Sequence, residues 1–308
     1  MMYALLAFMS VTSLCEAERG VYEEAADRIE VAYVLEAEAR RIAEALRDAA
    51  VSAAPRRKCQ PKEEFASLFT KDLRALSGDG HFYLEAMKEE STDDWVEEWR
   101  ASAPGRGYGI ERVQIFDGNI GYIRIGSFFE LEPAFARYSA AFELVSDTDA
   151  LILDLQVNHG GSAQTAWPTQ WTFLEPGAPT PMRIESRIEP SQLREEPPVL
   201  WKRYGAERPL VVLISKNTYS APEAVAHTLQ ATARATIIGE ASGGGAHMLD
   251  AGKDLKAGFT LYTPTSRPVS TVTGGNWEGD GVAPDIEASS AEALDTALSY
   301  LRNHLAAK

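Results

Sequence analysis

Two apolar runs constrain the fold of this chain more than anything else in it. Ala150-Leu151-Ile152-Leu153-Asp154-Leu155 and Leu210-Val211-Val212-Leu213-Ile214 show no alternation of apolar and polar residues. A strand with one wet face alternates with period two, so a continuous run implies a strand covered on both faces, as in a parallel sheet flanked by helices. Helical patterns surround these runs: Phe135, Tyr138, Phe142 and Val145 before the first, segments after Ser162 and Ser220, and an amphipathic stretch over 291–305. Thr236–Gly239 reads as another strand and 258–262 as a late one, while 113–116 and Ile120–Ile125 flank Asp117-Gly118 as a hairpin. The pattern predicts an α/β core over 108–308.

The first hundred residues differ. Leu35, Ala39, Ile42 and Leu46 step at helical spacing until a break at Ala54-Pro55-Arg56-Arg57. Phe65, Leu68, Phe69, Leu73 and Leu76 repeat it and stop at Gly78-Asp79-Gly80. These stripes predict a helical subdomain over 22–107, with 91–107 as connector. Residues 1–21 form a candidate signal peptide or N-terminal extension. An apolar run covers 3–9, and small-x-small sites follow at Ser13-Leu14-Cys15 and Cys15-Glu16-Ala17, but there is no basic n-region. The run is too short to span a bilayer, which takes ~20 apolar residues. Cleavage would send the protein to the periplasm or outside the cell; without it the protein is cytoplasmic.

Charge removes one class of partner. Thirty Lys plus Arg against 45 Asp plus Glu give a net charge of −15, with no basic stripe to bind a phosphate backbone, so nucleic acid is not expected. Two cysteines, Cys15 and Cys59, make neither a zinc spacing nor a disulfide framework. No metal or organic cofactor is expected, and the sequence gives no oligomeric state.

In α/β sheets, sites collect where strands end and helices begin. Two junctions stand out. After the first buried run comes Asn158-His159-Gly160-Gly161-Ser162, whose paired glycines let backbone amides face a ligand. After the second comes Thr218-Tyr219-Ser220-Ala221-Pro222-Glu223, with Ser220 at the start of a helix. Ser220 there is either an N-cap or a nucleophile beside an oxyanion hole, formed by the Ala221 N–H and that of Gly160 or Gly161. The G-x-S-x-G elbow, the S-x-x-K motif and the Walker loop are all absent.

Four ordered blocks then resemble the tail-specific (C-terminal-processing) serine protease family across roughly 110–300. They are Leu151-Ile152-Leu153-Asp154-Leu155 with Asn158-His159-Gly160-Gly161; Pro209-Leu210-Val211-Val212-Leu213 with Ser220-Ala221-Pro222-Glu223; Ile237-Ile238-Gly239-Glu240 with the glycines after it; and Glu278-Gly279-Asp280-Gly281-Val282-Ala283-Pro284-Asp285-Ile286. The helical start ending in Gly78-Asp79-Gly80-His81 further resembles the branch of bacterial relatives of interphotoreceptor retinoid-binding protein. The resemblance implies a crotonase/ClpP-like β-α spiral core with Ser220 as nucleophile of a serine peptidase acting on peptide or unfolded protein; no PDZ module is expected, because the short segment between His81 and the first core strand leaves no room for the one these proteases usually carry there.

One departure is informative. The processing proteases pair serine with a lysine in the glycine cluster, and Gly245 stands in that place here. The tricorn-like branch uses a histidine upstream and a glutamate near the end, which implies His81 as base and Glu278 as its orienting carboxylate. The serine that precedes the histidine in that branch is Gly80 in this chain. His247 is the alternative base, and His159 adjoins the oxyanion loop, whereas His227 and His304 read as packed or surface residues. Asp154 and Glu223 read as hydrogen-bond partners that hold loops. The competing functions are a carrier of retinoid or fatty acid on the same fold and a pseudo-peptidase used for protein interaction.

Overall fold

The computed structural model describes residues 11–87, 95–198 and 201–307, so the apolar run at 3–9 and part of the 91–107 connector lie outside the described residues. The chain divides into two compact units. One holds the residues up to 92 together with 184–192 and 247–268; the other holds 93–183, 193–246 and 269–308.

In the first unit, helices α1 (Glu16–Ala32), α2 (Glu36–Ser52) and α3 (Lys62–Ser77) follow one another. Both predicted stripes face inward: α2 buries Ala39, Ile42 and Leu46, and α3 buries Phe65, Phe69, Leu73 and Leu76, leaving only Leu68 of its stripe exposed. Gly78 ends α3 with φ 74°, and its N–H donates to Arg74 O at 2.8 Å. Helix α1 escaped the sequence reading because alanines, Ala25, Ala26 and Ala32, fill much of its buried stripe between Val21, Tyr22 and Ile29. The Tyr22 ring meets Phe69 edge-on at 4.9 Å.

The late strand Phe259–Tyr262 is not part of the α/β core. It pairs antiparallel with Tyr83–Ala86 on one side and with Lys253–Leu255 on the other, and Leu255, Phe259 and Leu261 complete the helical unit's core. A cut at 107/108 would separate Tyr83–Ala86 from the strand Phe259–Tyr262 that it flanks.

Cys15 and Cys59 form a disulfide. Two cysteines 44 residues apart give no pairing from spacing alone; the helices bring them together. Cys15 is 2% exposed at the N-terminus of α1, where its N–H donates to Glu18 Oε2 at 3.0 Å. Cleavage at either small-x-small site would remove this cysteine, so the bridge exists only in a chain that keeps Cys15.

The second unit is built on a six-stranded sheet in the order Ile286–Glu287, Thr236–Gly239, Leu210–Ile214, Ala150–Asp154, Ile120–Ile125, Ile110–Phe116. All neighbours are parallel except the final hairpin pair. Every residue of the two apolar runs that named this fold is buried. Alternate residues explain why. Ile152, Val211 and Leu213 pack with Ala293, Ala297 and Leu301 of the C-terminal helix, while Leu151, Leu153 and Val212 point to the other face. The remaining helices are α4 (Trp95–Ser102), α5 (Leu131–Leu144), α6 (Ala163–Trp171), α7 (Ala221–Ala231) and α8 (Ala293–Ala306). Among the described residues no helix is long and apolar enough to cross a membrane.

The disulfide closes a loop of 44 residues, for which chain entropy gives about 4 kcal/mol of stabilisation. Cys59→Ser, or reduction of the native chain, therefore lowers the unfolding free energy by about that amount. Urea unfolding with and without reductant reads the difference; identical curves would show that the bridge contributes nothing.

Candidate active site

Parallel pairing of Leu151 with Leu210 sets the carboxyl ends of two neighbouring strands side by side, and both candidate loops leave from there. The loops are stitched together: the Ser215 hydroxyl donates to Gln156 O at 2.6 Å, Thr218 Oγ1 to Leu155 O at 2.9 Å, and the Tyr219 N–H to Asn158 O at 3.1 Å. Asp154, fully buried at the root of the first loop, accepts from Tyr122 Oη at 2.6 Å and Arg124 Nε at 2.9 Å. Its second oxygen accepts the Gln156 N–H at 3.0 Å, turning the chain out of the sheet.

Ser220 stands at the N-terminus of α7 with φ 68° and ψ −116°. A non-glycine residue adopts that region only where its surroundings enforce it, at a cost of about 1–3 kcal/mol. Glu223 does the enforcing. Its carboxylate is wholly buried and takes four donors: the Ser220 N–H at 2.6 Å, the Ser242 hydroxyl at 2.6 Å, and the N–H groups of Gly244 at 2.7 Å and Gly245 at 2.9 Å. Burial pushes this carboxyl above its ordinary pKa, and the four donors offset part of the rise.

Gly160 lies against the serine: a Cβ there would come within 3.3 Å of Ser220 Cβ and 3.8 Å of Oγ. The choice between Gly160 and Gly161 as oxyanion donor narrows, because the Gly160 N–H is already committed to Asn158 Oδ1 at 2.9 Å. Gly161 is solvent-exposed, and among the described residues its N–H has no acceptor. Ala221 opens α7, where the N–H has no intrahelical acceptor.

The Tyr219 ring lies over Gly245, where a Cβ would stand 2.2 Å from Cζ, so no lysine fits without moving that ring. Ala246 then donates its N–H to Glu278 Oε2 at 2.6 Å, and Trp277 Nε1 donates to Gly245 O at 3.0 Å. Glu278 is thereby joined to Ser220 through Ala246, Gly245 and Glu223.

His81 and His247 belong to the first unit. They meet there at Asp79, a residue read from sequence only as part of a helix stop. Asp79 Oδ2 lies 2.6 Å from His247 Nδ1 and accepts from Tyr33 Oη at 3.2 Å; Oδ1 accepts the His81 N–H at 2.8 Å and lies 3.6 Å from its Nδ1. Burial alone would raise the Asp79 carboxyl, but the hydrogen bonds from His247 and His81 hold it well below the usual carboxylate range. His247 is 2% exposed, with Tyr33 edge-on to its ring at 6.0 Å.

His159 and His304 are exposed. His227 packs 5.1 Å from the Trp277 ring, and burial pushes its pKa down. Cys15, Glu18 and Cys59 come within metal-ligand distance of one another, but the disulfide uses both sulfurs.

Replacing Glu223 by Gln turns an amide NH₂ toward backbone and hydroxyl donors that can no longer be satisfied. Stability is expected to fall by about 3 kcal/mol. Thermal denaturation of Glu223→Gln checks this, and an unchanged midpoint would remove Glu223 from its place as organiser of the loop.

The model of Peptidase family S41 matches residues 119–288, more than half of the chain. A carboxy-terminal-processing protease of Bartonella bacilliformis is 30% identical over 218 residues, which is 62% of this chain and 45% of that protein. The chain thus spans less than half the length of that relative. Three solved structures share the fold: a lipoprotein from Streptococcus agalactiae (TM-score 0.61, 16% identity, 93% of this chain and 96% of that one), the photosystem II D1 C-terminal processing protease (0.55, 16%, 88% and 93%), and the tricorn protease (0.57, 14%, 94% and 37%). With a family model covering both loops and the serine between them, the chain belongs to Peptidase family S41.

Proposed function

We propose that the protein is a serine peptidase that hydrolyses peptide bonds through Ser220. The observation that carries this reading is the enforced left-handed conformation of Ser220 at a helix N-terminus, beside open N–H groups. A structural N-cap needs no such strain.

In this reading Ser220 Oγ attacks the scissile carbonyl carbon while His81 takes the hydroxyl proton. The carbonyl oxygen becomes an oxyanion held by the N–H groups of Ala221 and Gly161. Collapse breaks the C–N bond, and His81 returns the proton to the leaving amine. Water, deprotonated by the same imidazole, then hydrolyses the acyl-enzyme and restores the serine. Glu278 orients His81 and balances its charge. The base is assigned to His81 over His247 because His247 is buried at 2% exposure between Asp79 and the Tyr33 ring, and because His81 matches the tricorn-like branch. The catalytic core is read as a crotonase-like β-α spiral, in keeping with the parallel sheet and intervening helices. An extracytoplasmic location with Cys15 retained, and so without cleavage at either small-x-small site, belongs to the same reading, since disulfides persist in oxidising compartments.

A fluorophosphonate probe is expected to label the wild type and leave Ser220→Ala unlabelled. His81→Ala should lose as much peptidase activity as Ser220→Ala, with the double variant hardly worse, because members of a catalytic unit are not additive. His247→Ala should keep measurable turnover. A dead His247→Ala beside an active His81→Ala would reverse the assignment. Equal labelling of wild type and Ser220→Ala, with retinol or fatty acid bound tightly by both, would make the protein a carrier.

A further inference from the structure

A second pocket lies beside the oxyanion loop, wholly within the unit that carries Ser220. It encloses about 160 Å³ and is walled by Trp99, Ala103, Pro104, Tyr108, Phe129 and Pro133. The Trp99 indole stacks on Phe129 at 4.6 Å with the rings 17° apart. Tyr108 is held at φ 54°, a left-handed conformation that a bulky residue adopts only under constraint, and its N–H donates to Ala103 O at 2.8 Å. These contacts shape a preformed apolar slot.

Hydrogen bonds tie the slot to the nucleophile. Trp99 Nε1 donates to Ser127 Oγ at 3.4 Å, and Ser127 Oγ donates to Gly160 O at 3.3 Å. The Phe128 N–H donates to the same carbonyl at 3.0 Å, and Phe128 O accepts the Ser162 N–H at 2.6 Å. The strand-like segment 127–129 therefore runs along 160–162, and Gly160 touches Ser220. The route from indole to nucleophile passes through only two residues, Ser127 and Gly160.

We propose that this pocket is a specificity subsite that receives one apolar side chain of the peptide substrate, close to the scissile bond. The inference rests on the peptidase reading above. Its volume decides the size of the occupant: an apolar cavity of about 150 Å³ holds a benzene molecule, so the slot takes one leucine, methionine or phenylalanine side chain. Its chemistry decides the class. The two charged groups that border it, Arg100 and Glu130, are paired with each other at 2.8 Å, so neither is left to compensate a charged side chain that gives up its water.

Cleavage-site profiling on a library of unfolded polypeptides tests the assignment. For the wild type, one position flanking the cuts should be enriched about tenfold or more in Leu, Met and Phe over Asp and Gly. Trp99→Ala should flatten that position and leave the preferences at other positions in place. Ala103→Leu, which fills the slot, should shift the same position toward Ala and Val, and it decides the matter should Trp99→Ala fail to fold. No apolar-selective position, or a selectivity that survives both variants, would overturn the proposal. If neither wild type nor Ser220→Ala cuts any peptide, the peptidase reading has failed, and fluorescence anisotropy of labelled peptides still decides the pocket. Binding that prefers Leu or Phe over Asp and depends on Trp99 keeps the subsite; equal or absent binding ends it.

Discussion

The candidate site depends on one buried carboxylate. Glu223 gathers the backbone N–H of Ser220, two N–H groups of the glycine cluster and the Ser242 hydroxyl around its two oxygens. A buried carboxylate is costly unless every lone pair finds a donor, and four donors meet that demand. In return the loop after Leu210–Ile214 and the loop after Thr236–Gly239 are fixed to each other, and the strained backbone of Ser220 has somewhere to anchor its N–H. Functional strain of this kind persists only where surrounding structure over-determines it.

Around that anchor, the geometry is inherited from the sheet. Parallel neighbours end on the same edge, so loops 155–162 and 215–220 emerge together and exchange hydrogen bonds through Ser215, Thr218 and Tyr219. Loop 155–162 then leans on a third segment, 127–129, which links the apolar pocket to Gly160. Rigidity in each loop comes from side-chain hydrogen bonds to backbone, not from helical or strand ladders, which is why polar residues such as Asp154, Asn158 and Thr218 are fully buried there.

The helical unit shows the same economy with a different charge. Asp79 serves both histidines at once, one through the side chain and one through the backbone, and Tyr33 closes the nest. The residue after α3's glycine cap thereby fixes the approach to His81. In the other unit, Tyr219 occupies the space over Gly245, so a side chain at that position would have to displace the ring.

Local pattern was enough for the architecture. Continuous apolar runs demanded parallel strands covered on both faces, helical stripes predicted α2 and α3, and strand-to-helix junctions singled out Ser220 and the paired glycines. Such features are local because burial on one face or two writes a period directly into the residues. Tertiary structure decided what has no period. The Cys15–Cys59 bridge, the Asp79 nest and the pairing of Tyr83–Ala86 with Phe259–Tyr262 each join residues far apart in the chain, and nothing in their spacing specifies a partner. The left-handed Ser220 and the Gly160 amide committed to Asn158 are decided by hydrogen bonds that exist only once the loops are packed. Residue types supplied the donors and acceptors; which of them meet was settled by where the sheet brought its strand ends.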